Sequence, residues 1–206
     1  MKKKRIALID AKFGNLASVI NAIKYLGYSY NVLEKPLQID RYSHFILPGV
    51  GSYNKAAKKL QSSGWYRSIK KITNDGKPFL GICLGMQLMF EEGNEHGKIK
   101  GLGFFKGKCE IFSKNNKLAL PHMGFNFVKH KKSLIWKNIP NPAAFYFVHS
   151  YRIKKTGDDA LICKTSYGEE FISFIEKENI FGAQFHPEKS HKVGLKLLKN
   201  FFETTK

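Results

Sequence analysis

The chain has 206 residues, of which 43% are hydrophobic, and it carries a formal net charge of +19 at pH 7. This length and composition fit one ordinary globular domain, which we predict to span residues 1–206. No apolar run approaches the roughly 18 residues of a membrane span, and the short apolar stretch near the N-terminus ends at Asp10, which argues against a signal peptide. We therefore expect no membrane association and a cytoplasmic location.

The predicted elements of the first half alternate between strands and helices. Predicted strands cover 5–10, 30–34, 44–49 and 78–83, predicted helices cover 15–26 and 53–72, and the stretch LGMQLMFEE after Cys83 is predicted to be helical. In the first helix, apolar residues recur at helical spacing, and Asn15 can cap its start. This alternation predicts an α/β fold with a mostly parallel central sheet flanked by helices.

The second half contains strand-like runs broken by turns, which indicates additional antiparallel strands. These runs are CEIFS, AFYFVHSYRI, LICKTS, FISFIEKENI and IFGAQF. Residues 94–108 are rich in glycine and lysine and are predicted to form a loop. An amphipathic helix is predicted over 191–204, with Val193, Leu197, Leu198 and Phe201 on one face.

Charge and cysteine content exclude some classes of site. Lysines are spread along the whole chain without a recognisable nucleic-acid module, so we expect a solvated basic surface and no specific nucleic-acid partner. Cys83, Cys109 and Cys163 are few and lack CxxC spacing, which argues against a disulfide framework and a structural zinc site. We predict no metal site.

The stretch GICLG places Cys83 where a buried strand turns into a helix, between Gly81 and Gly85. A nucleophile on such an elbow needs small neighbours because the backbone turns tightly. It would face the carboxyl end of the sheet, with the N–H of Leu84 as the first donor to an oxyanion. The alternative is a core cysteine whose flanking glycines ease packing, and this motif alone leaves both open.

The stretch GAQFHPEKS supplies a candidate base. His186 follows a strand-like run, and Glu188 can turn back onto its imidazole. A carboxylate in that position fixes the tautomer of the ring and stabilises the imidazolium. Alone, the motif also fits a surface His-Pro-Glu turn, but together with the elbow cysteine it favours a triad of Cys83, His186 and Glu188.

The motifs GICLGMQ, FHPEKS, LPGVGSY and FVHSY resemble those of class I, triad-type glutamine amidotransferases. Met86, HMGFN at 122–126 and the full FHPEKS narrow the resemblance to the glutaminase subunits of imidazole glycerol phosphate synthase. The resemblance implies a flavodoxin-like class I fold. It also implies hydrolysis of glutamine to glutamate and ammonia by the triad, without metal or organic cofactor.

The resemblance also implies further site residues. The implied oxyanion residues are Gly49, Val50, Gly51 and Leu84, the implied glutamine-binding residues are Gln87, Glu95, Ser150 and Tyr151, and the implied interface residues are Asn15 and Lys189. Simpler interpretations stay open: Gln87 could be an exposed helix residue and Glu95 an ordinary loop charge. His149 is interpreted as a packed strand histidine.

A partner subunit follows from the same resemblance. The family implies a heterodimer with a (β/α)8-barrel cyclase subunit, through which ammonia passes to make imidazole glycerol phosphate and aminoimidazole carboxamide ribonucleotide in histidine biosynthesis. The resemblance also implies a low resting activity, since many such subunits are nearly idle alone because the oxyanion N–H points away until the partner and its substrate bind. We expect the same population shift at the PGVG segment here.

Two stretches depart from the family pattern. The first loop commonly reads Asp-Tyr-Gly-x-Gly-Asn and is DAKFGN here, and Phe125 stands where tryptophan is usual. Neither departure touches the triad, but both leave open a paralogous subunit that feeds a synthase amidating or amidinating a cell-surface sugar. An alternative of another class is a catalytically silent regulatory or basic binding subunit.

Overall fold

A seven-stranded sheet forms the centre of the computed structural model, which describes residues 4–113 and 118–204. Its strands, numbered along the chain, are β1 (Arg5–Ile9), β2 (Ser29–Leu33), β3 (His44–Gly49), β4 (Phe79–Cys83), β11 (Leu161–Tyr167), β12 (Glu169–Lys177) and β13 (Ile180–Ala183). The order is β11-β12-β13-β4-β3-β1-β2. Five strands from β13 to β2 are parallel, and β12 and β11 continue antiparallel, which confirms the predicted mixed sheet.

Helices cover both faces of this sheet because its central strands alternate apolar side chains between two cores. The helices are α1 (Leu16–Tyr25), α2 (Tyr53–Ser62), α3 (Trp65–Asn74), α4 (Leu84–Gln87) and α5 (His191–Glu203). Ile6 and Leu8 belong to the core formed with α1 and α5, whereas Ala7 and Ile9 belong to the core formed with α2 and α3. None of the helices in the described residues is long and apolar enough to cross a membrane.

The prediction of one helix over 53–72 was wrong. The structure has two helices in this stretch, separated at Gly64, whose φ of 80° lies in the left-handed region. The buried apolar positions shift from Leu60 directly to Trp65, a step of five residues, so the helical spacing is interrupted at the break. Glycine adopts this conformation at little cost, and it therefore ends one helix and redirects the chain into the next.

The predicted helix after Cys83 and the predicted loop over 94–108 also need correction. The helix ends at Gln87, and the chain continues into β5 (Phe90–Asn94), β6 (Lys98–Lys100) and β7 (Phe105–Ile111). A Cβ atom at Gly101 would lie 2.2 Å from the carbonyl oxygen of Phe90, so glycine permits the close approach of these segments. Gly101 and Gly107 therefore serve the close packing of these strands, whereas Gly97 and Gly103, with φ of 107° and 66°, lie in the connections between them.

Two smaller sheets complete the described structure. One has the order β10-β7-β5-β6, with β10 at Tyr151–Ile153, and the other pairs β8 (His122–Val128) with β9 (Ala143–His149). Strand β8 was not predicted, although Met123, Phe125 and Phe127 alternate with Gly124 and Asn126 in the period of two that is typical of a strand; this apolar set is exposed. The two-stranded sheet brings His122 directly opposite His149, at the end of β9 that leads into β10.

Candidate active site

Cys83 lies at a strained elbow between β4 and α4. Its φ of 54° and ψ of −110° are rare for a residue with a side chain, and such a conformation costs roughly 1–3 kcal/mol. A Cβ atom at Gly85 would lie 1.9 Å from the Leu47 carbonyl oxygen, and one at Gly81 would lie 2.7 Å from the Gly85 backbone. Glycine at both flanks is therefore required by the elbow, as the sequence predicted.

The base lies in a rigid turn next to this elbow. Three residues after β13, the backbone N–H of His186 donates to the carbonyl of Tyr146 at 2.8 Å, and Ser190 Oγ donates to the carbonyl of His186 at 2.6 Å. A short 3₁₀ helix over Pro187–Lys189 turns Glu188 back onto the imidazole. His186 Nδ1 and Glu188 Oε1 are 2.7 Å apart, and both side chains are at least 96% buried.

The electrostatics of the base favour the charged ring. Burial alone would lower the pKa of His186, but the Cys83 sulfur and the Glu188 carboxylate together raise it to about 10. The Nε2 atom of His186 is buried without a hydrogen-bond partner in the described residues. The Cys83 sulfur is near enough to raise the pKa of the ring, and Glu188 contacts its other side. The three predicted triad residues therefore lie together.

The thiol itself contacts two other groups. It donates weakly to the carbonyl of Val148 at 3.9 Å and accepts from Gln184 Nε2 at 3.7 Å. Gln184 is fully buried and was not predicted as a site residue, although it lies in the quoted stretch GAQFHPEKS. The signal that could have revealed it is a single amide within an otherwise apolar run just before His186.

The predicted oxyanion segment is present, but its key N–H is occupied. Gly49 pairs with Cys83 in the sheet, and a Cβ atom there would lie 2.9 Å from the Leu84 Cβ. The N–H of Val50 donates to the carbonyl of Phe13 at 2.9 Å and is unavailable to an oxyanion in this conformation. Leu84, as the first residue of α4, has an N–H without an intrahelical partner.

A cavity of about 210 Å³ opens beside the thiol. Its lining residues are Val50, Gly51, Cys83, Leu84, Gln87, Val148, His149, Ser150 and Tyr151. Gln87 is buried, and its Nε2 donates to the carbonyl of Tyr151 and to Gln184 Oε1, each at 3.0 Å. Gln87 is therefore not an exposed helix residue, and its position in the cavity wall agrees with the predicted site role.

Glu95 is the one predicted glutamine-binding residue that does not line this cavity. Its carboxylate accepts the N–H of Tyr53 at the start of α2. Together with burial, the carboxylate raises the pKa of the Tyr151 phenol, so it is close to the residues around the cavity. In this structure Glu95 caps a helix and is absent from the cavity lining.

A larger groove of about 710 Å³ lies elsewhere on the surface. Lysines and glutamates line it, including Lys70, Lys100, Lys155, Glu91 and Glu92, and it contains none of the predicted catalytic or glutamine-binding residues. The groove is larger, but Cys83 is not among its lining residues. The smaller cavity, which Cys83 does line, is therefore the candidate active site. Among the described residues, no group of His, Cys, Asp and Glu could hold a metal ion.

The predicted interface residues are exposed close to the base. Asn15 accepts the N–H of Ala17 at 3.3 Å and caps α1, as predicted. Lys189 follows Glu188 directly, and its Nζ lies 5.7 Å from the centre of the Tyr146 ring. Phe125, which is 51% exposed, stacks on His191 with ring centres 5.2 Å apart. Exposed aromatic and basic groups therefore lie beside the turn that carries His186 and Glu188.

Known proteins resemble this chain over nearly its whole length. Residues 7–205 match the family described as Glutamine amidotransferase class-I. Imidazole glycerol phosphate synthase subunit HisH of Desulfitobacterium hafniense is 45% identical over 197 residues, which are 95% of this chain and 92% of the relative. Subunit HisH of Caldanaerobacter subterraneus is 45% identical over 202 residues, and HisH 1 of Campylobacter jejuni is 42% identical over 198, with at least 95% of each chain covered.

Solved structures of the same fold are more distant in sequence. The structure of PurLQS from Thermotoga maritima has a TM-score of 0.77 at 20% identity and covers 97% of both chains. A crystal structure described as a glutamine amidotransferase has a TM-score of 0.75 at 16% identity, covering 96% of this chain and 97% of the other. At these identities the likeness concerns the fold alone.

Proposed function

Because this chain belongs to the class I glutamine amidotransferases, and within them to the HisH subunits of imidazole glycerol phosphate synthase, we propose that it hydrolyses glutamine to supply such a synthase with ammonia. It is an enzyme of the glutamine amidotransferase type. The observation that carries the proposal is the strained Cys83 beside a buried His186–Glu188 pair and a small cavity. We place the reaction in the cytoplasm, with histidine biosynthesis as its pathway.

The chemistry begins with the thiolate of Cys83, which attacks the side-chain amide carbon of glutamine. A C–S bond forms, and the carbonyl oxygen takes the negative charge. The imidazolium of His186 then gives its proton to the amide nitrogen, so that the C–N bond breaks and ammonia leaves. A water that loses a proton to His186 attacks the resulting thioester, which releases glutamate and the thiolate. Glu188 stabilises the imidazolium at each step.

The cavity walls supply the groups that would hold glutamine. Both hydrogens of the Gln87 amide are used within the protein, so its carbonyl oxygen is left to accept an N–H of the substrate. Ser150 and Tyr151 line the same cavity, and the family pattern implies that their backbone groups would bind glutamine. We assign Glu95 to the substrate ammonium through a change in position, since it caps α2 here.

Val50 would act as the switch of this site. Its N–H must leave the carbonyl of Phe13 before it can stabilise an oxyanion together with the N–H of Leu84. Gly51, with a φ of 94°, permits such a change of the peptide. A preorganised oxyanion donor is typically worth about 3–4 kcal/mol, so the resting enzyme would be slow and a partner that frees Val50 would raise turnover.

A barrel cyclase subunit is the proposed partner, forming a heterodimer that makes imidazole glycerol phosphate and aminoimidazole carboxamide ribonucleotide. Ammonia is largely protonated in neutral water and then is no nucleophile, so direct transfer to a docked acceptor preserves its reactivity. The exposed Asn15, Lys189 and Phe125 support docking on the face next to the triad. The groove of about 490 Å³ that contains Lys189, His191 and Tyr25 belongs to this face.

A sugar-amidating synthase is the second candidate partner, and one observation favours it. In the departing loop, Lys12 has a φ of 64° and pairs with Asp10 at 2.9 Å and with Glu34 at 2.8 Å. The following residue, Phe13, supplies the carbonyl that holds Val50. The altered loop therefore contacts the proposed switch directly, where a different partner would act.

The test is glutamate release from glutamine by the purified chain, alone and with the barrel cyclase subunit from Desulfitobacterium hafniense and its ribonucleotide substrate. We expect strong stimulation by this pair and none for Cys83→Ala. Cys163→Ala is the matched control, because Cys163 is equally buried but lies on β11 and outside the cavity. Absence of stimulation in folded protein would reject the histidine pathway, and equal activity of Cys83→Ala would reject the mechanism.

A further inference from the structure

Two buried histidines connect strand β8 to the wall of the glutamine cavity. His122 Nδ1 lies 3.1 Å from His149 Nε2, and His149 Nδ1 lies 2.8 Å from the carbonyl oxygen of Tyr151. At the outer end, Asn126 Nδ2 lies 3.3 Å from His122 Nε2. Neither histidine is part of the proposed mechanism, and only 3% of His122 and 6% of His149 is exposed.

The Tyr151 carbonyl, at the inner end of this hydrogen-bonded series, fixes the direction of every bond in it. A carbonyl oxygen can only accept, so His149 must carry its proton on Nδ1 and leave Nε2 as an acceptor. His122 must then donate from Nδ1, and its Nε2 accepts from Asn126. Burial lowers the pKa of His149 to about 3 and that of His122 to about 4, which keeps both rings neutral as this arrangement requires.

The hydrogen-bonded series continues from the Tyr151 carbonyl to the thiol of Cys83. The carbonyl that accepts from His149 also accepts from Gln87, whose second amide hydrogen bonds Gln184 Oε1. That bond orients Gln184 so that its Nε2 faces the sulfur of Cys83 at 3.7 Å. One uninterrupted series of hydrogen bonds therefore begins on strand β8 and ends on the thiol.

We propose that His149 and His122 are positioning residues of the glutaminase reaction, which hold the Tyr151 carbonyl and through it orient Gln87 and Gln184. The inference rests on the proposed glutaminase function and adds two residues to that site. Because Gln87 faces the substrate and Gln184 faces the thiol, loss of the inner bond should disturb both glutamine binding and the attack on it.

The surroundings of the pair support a role beyond filling space. The aromatic rings of Phe147 and Tyr167 stack against His122 with centres 4.8 and 4.1 Å away, and Phe112 packs against both histidines. Phenyl rings would fill this aromatic environment without the energetic cost of removing two imidazoles from water. Packing alone therefore does not explain the two histidines. The stacked rings enclose His122 on the side of Phe147 and Tyr167, next to its 3.1 Å contact with His149.

The outer end of the hydrogen-bonded series lies on strand β8, where a partner can reach it. Asn126 lies between Phe125 and Phe127, which are 51% and 62% exposed. It also donates to the carbonyl of Ser166 at 3.0 Å and accepts the N–H of Phe127 at 2.8 Å. A shift of β8 would therefore displace Asn126 and reach His149 within two hydrogen bonds.

The experiment compares three variants in the complex with the cyclase subunit. In His149→Phe we expect KM for glutamine to rise by about tenfold and kcat to fall as well, since an oriented hydrogen bond to a buried carbonyl is lost. In His149→Asn, the amide nitrogen can replace Nδ1 as donor to Tyr151, and most of the loss should be recovered. His44→Phe is the control, because His44 is 98% buried and hydrogen-bonded to Thr204, away from the cavity.

Two measurements without glutamine decide the proposal even if the chain proves not to be a glutaminase. Nitrogen NMR should show the proton on Nδ1 of both His122 and His149. The alkylation rate of Cys83 by iodoacetamide should change in His149→Phe and remain unchanged in His44→Phe. Protons on Nε2, or kinetics and alkylation in folded His149→Phe equal to those of His44→Phe, would overturn the positioning role.

Discussion

Replacement of Glu188 by glutamine tests the electrostatic part of the active site most sharply. The substitution keeps the size of the side chain and an oxygen that can accept from His186 Nδ1, but it removes the charge. The pair is buried, so little solvent screens the interaction of the carboxylate with the imidazolium. Glu188→Gln should therefore preserve the geometry of the base while weakening its charged form.

The size of the effect follows from the distance. The 2.7 Å contact joins two groups whose charges are each spread over several atoms, so we take a separation of about 4 Å between the charges. At an effective dielectric constant of about 20 the interaction is then about 4 kcal/mol. If most of it acts in the transition state, kcat should fall by about two to three orders of magnitude, since each factor of ten corresponds to about 1.4 kcal/mol. KM for glutamine should change little, because Glu188 does not line the cavity.

The assay is glutamate release at saturating glutamine in the stimulated complex, with folding checked by chemical denaturation. Glu170→Gln is the control, since the Glu170 side chain is 66% exposed and pairs only with Lys164 among the described residues. It should retain normal activity. The reasoning would be refuted if folded Glu188→Gln kept more than about a tenth of the wild-type kcat, or if KM rather than kcat carried the loss.

Three further predictions concern neighbouring features. Gln184→Leu removes the amide that faces the sulfur, so kcat should fall by about tenfold and alkylation of Cys83 should change; unaltered values would exclude a role for that contact. Gly85→Ala should cost more than about 2 kcal/mol in denaturation, because its Cβ would lie 1.9 Å from a carbonyl oxygen, whereas Gly157→Ala, with open contacts of 3.5 Å, should be nearly neutral; equal costs would contradict the steric argument. Because the pKa of His186 is raised to about 10, the charged ring should stabilise the fold fully below about pH 6.5, and this stabilisation should be lost as the pH rises to about 10. The free energy of unfolding should lose less over this range in Glu188→Gln than in the wild type. An equal loss in the two proteins would contradict the prediction.

Parts of the fold with a simple local signal were predictable from the sequence. Strands β1, β3 and β4 are buried on both faces and therefore appear as continuous apolar runs. The elbow was also predictable, because only glycine fits on both sides of Cys83. In these cases one short stretch of sequence determines the structure by itself.

Other features depend on contacts between distant segments. The break at Gly64 and strand β8 are exceptions, because each has a local signal that the predictions missed: a five-residue step between the apolar Leu60 and Trp65, and an alternation of Phe125 and Phe127 with polar or small residues. The opposition of His122 and His149 arises only when β8 pairs with β9, which no local pattern indicates. The bond between Val50 and Phe13 joins two backbone groups, so side-chain identities could not reveal it.

The central claim is that glutamine reacts with the thiol of Cys83, and the most direct measurement is covalent labelling by a glutamine-shaped diazoketone. The account predicts one label per chain, located at Cys83 by peptide mapping, formed in the stimulated complex and suppressed by excess glutamine. Labelling of Cys109 or Cys163 instead, or labelling of Cys83 that glutamine does not suppress, would contradict it.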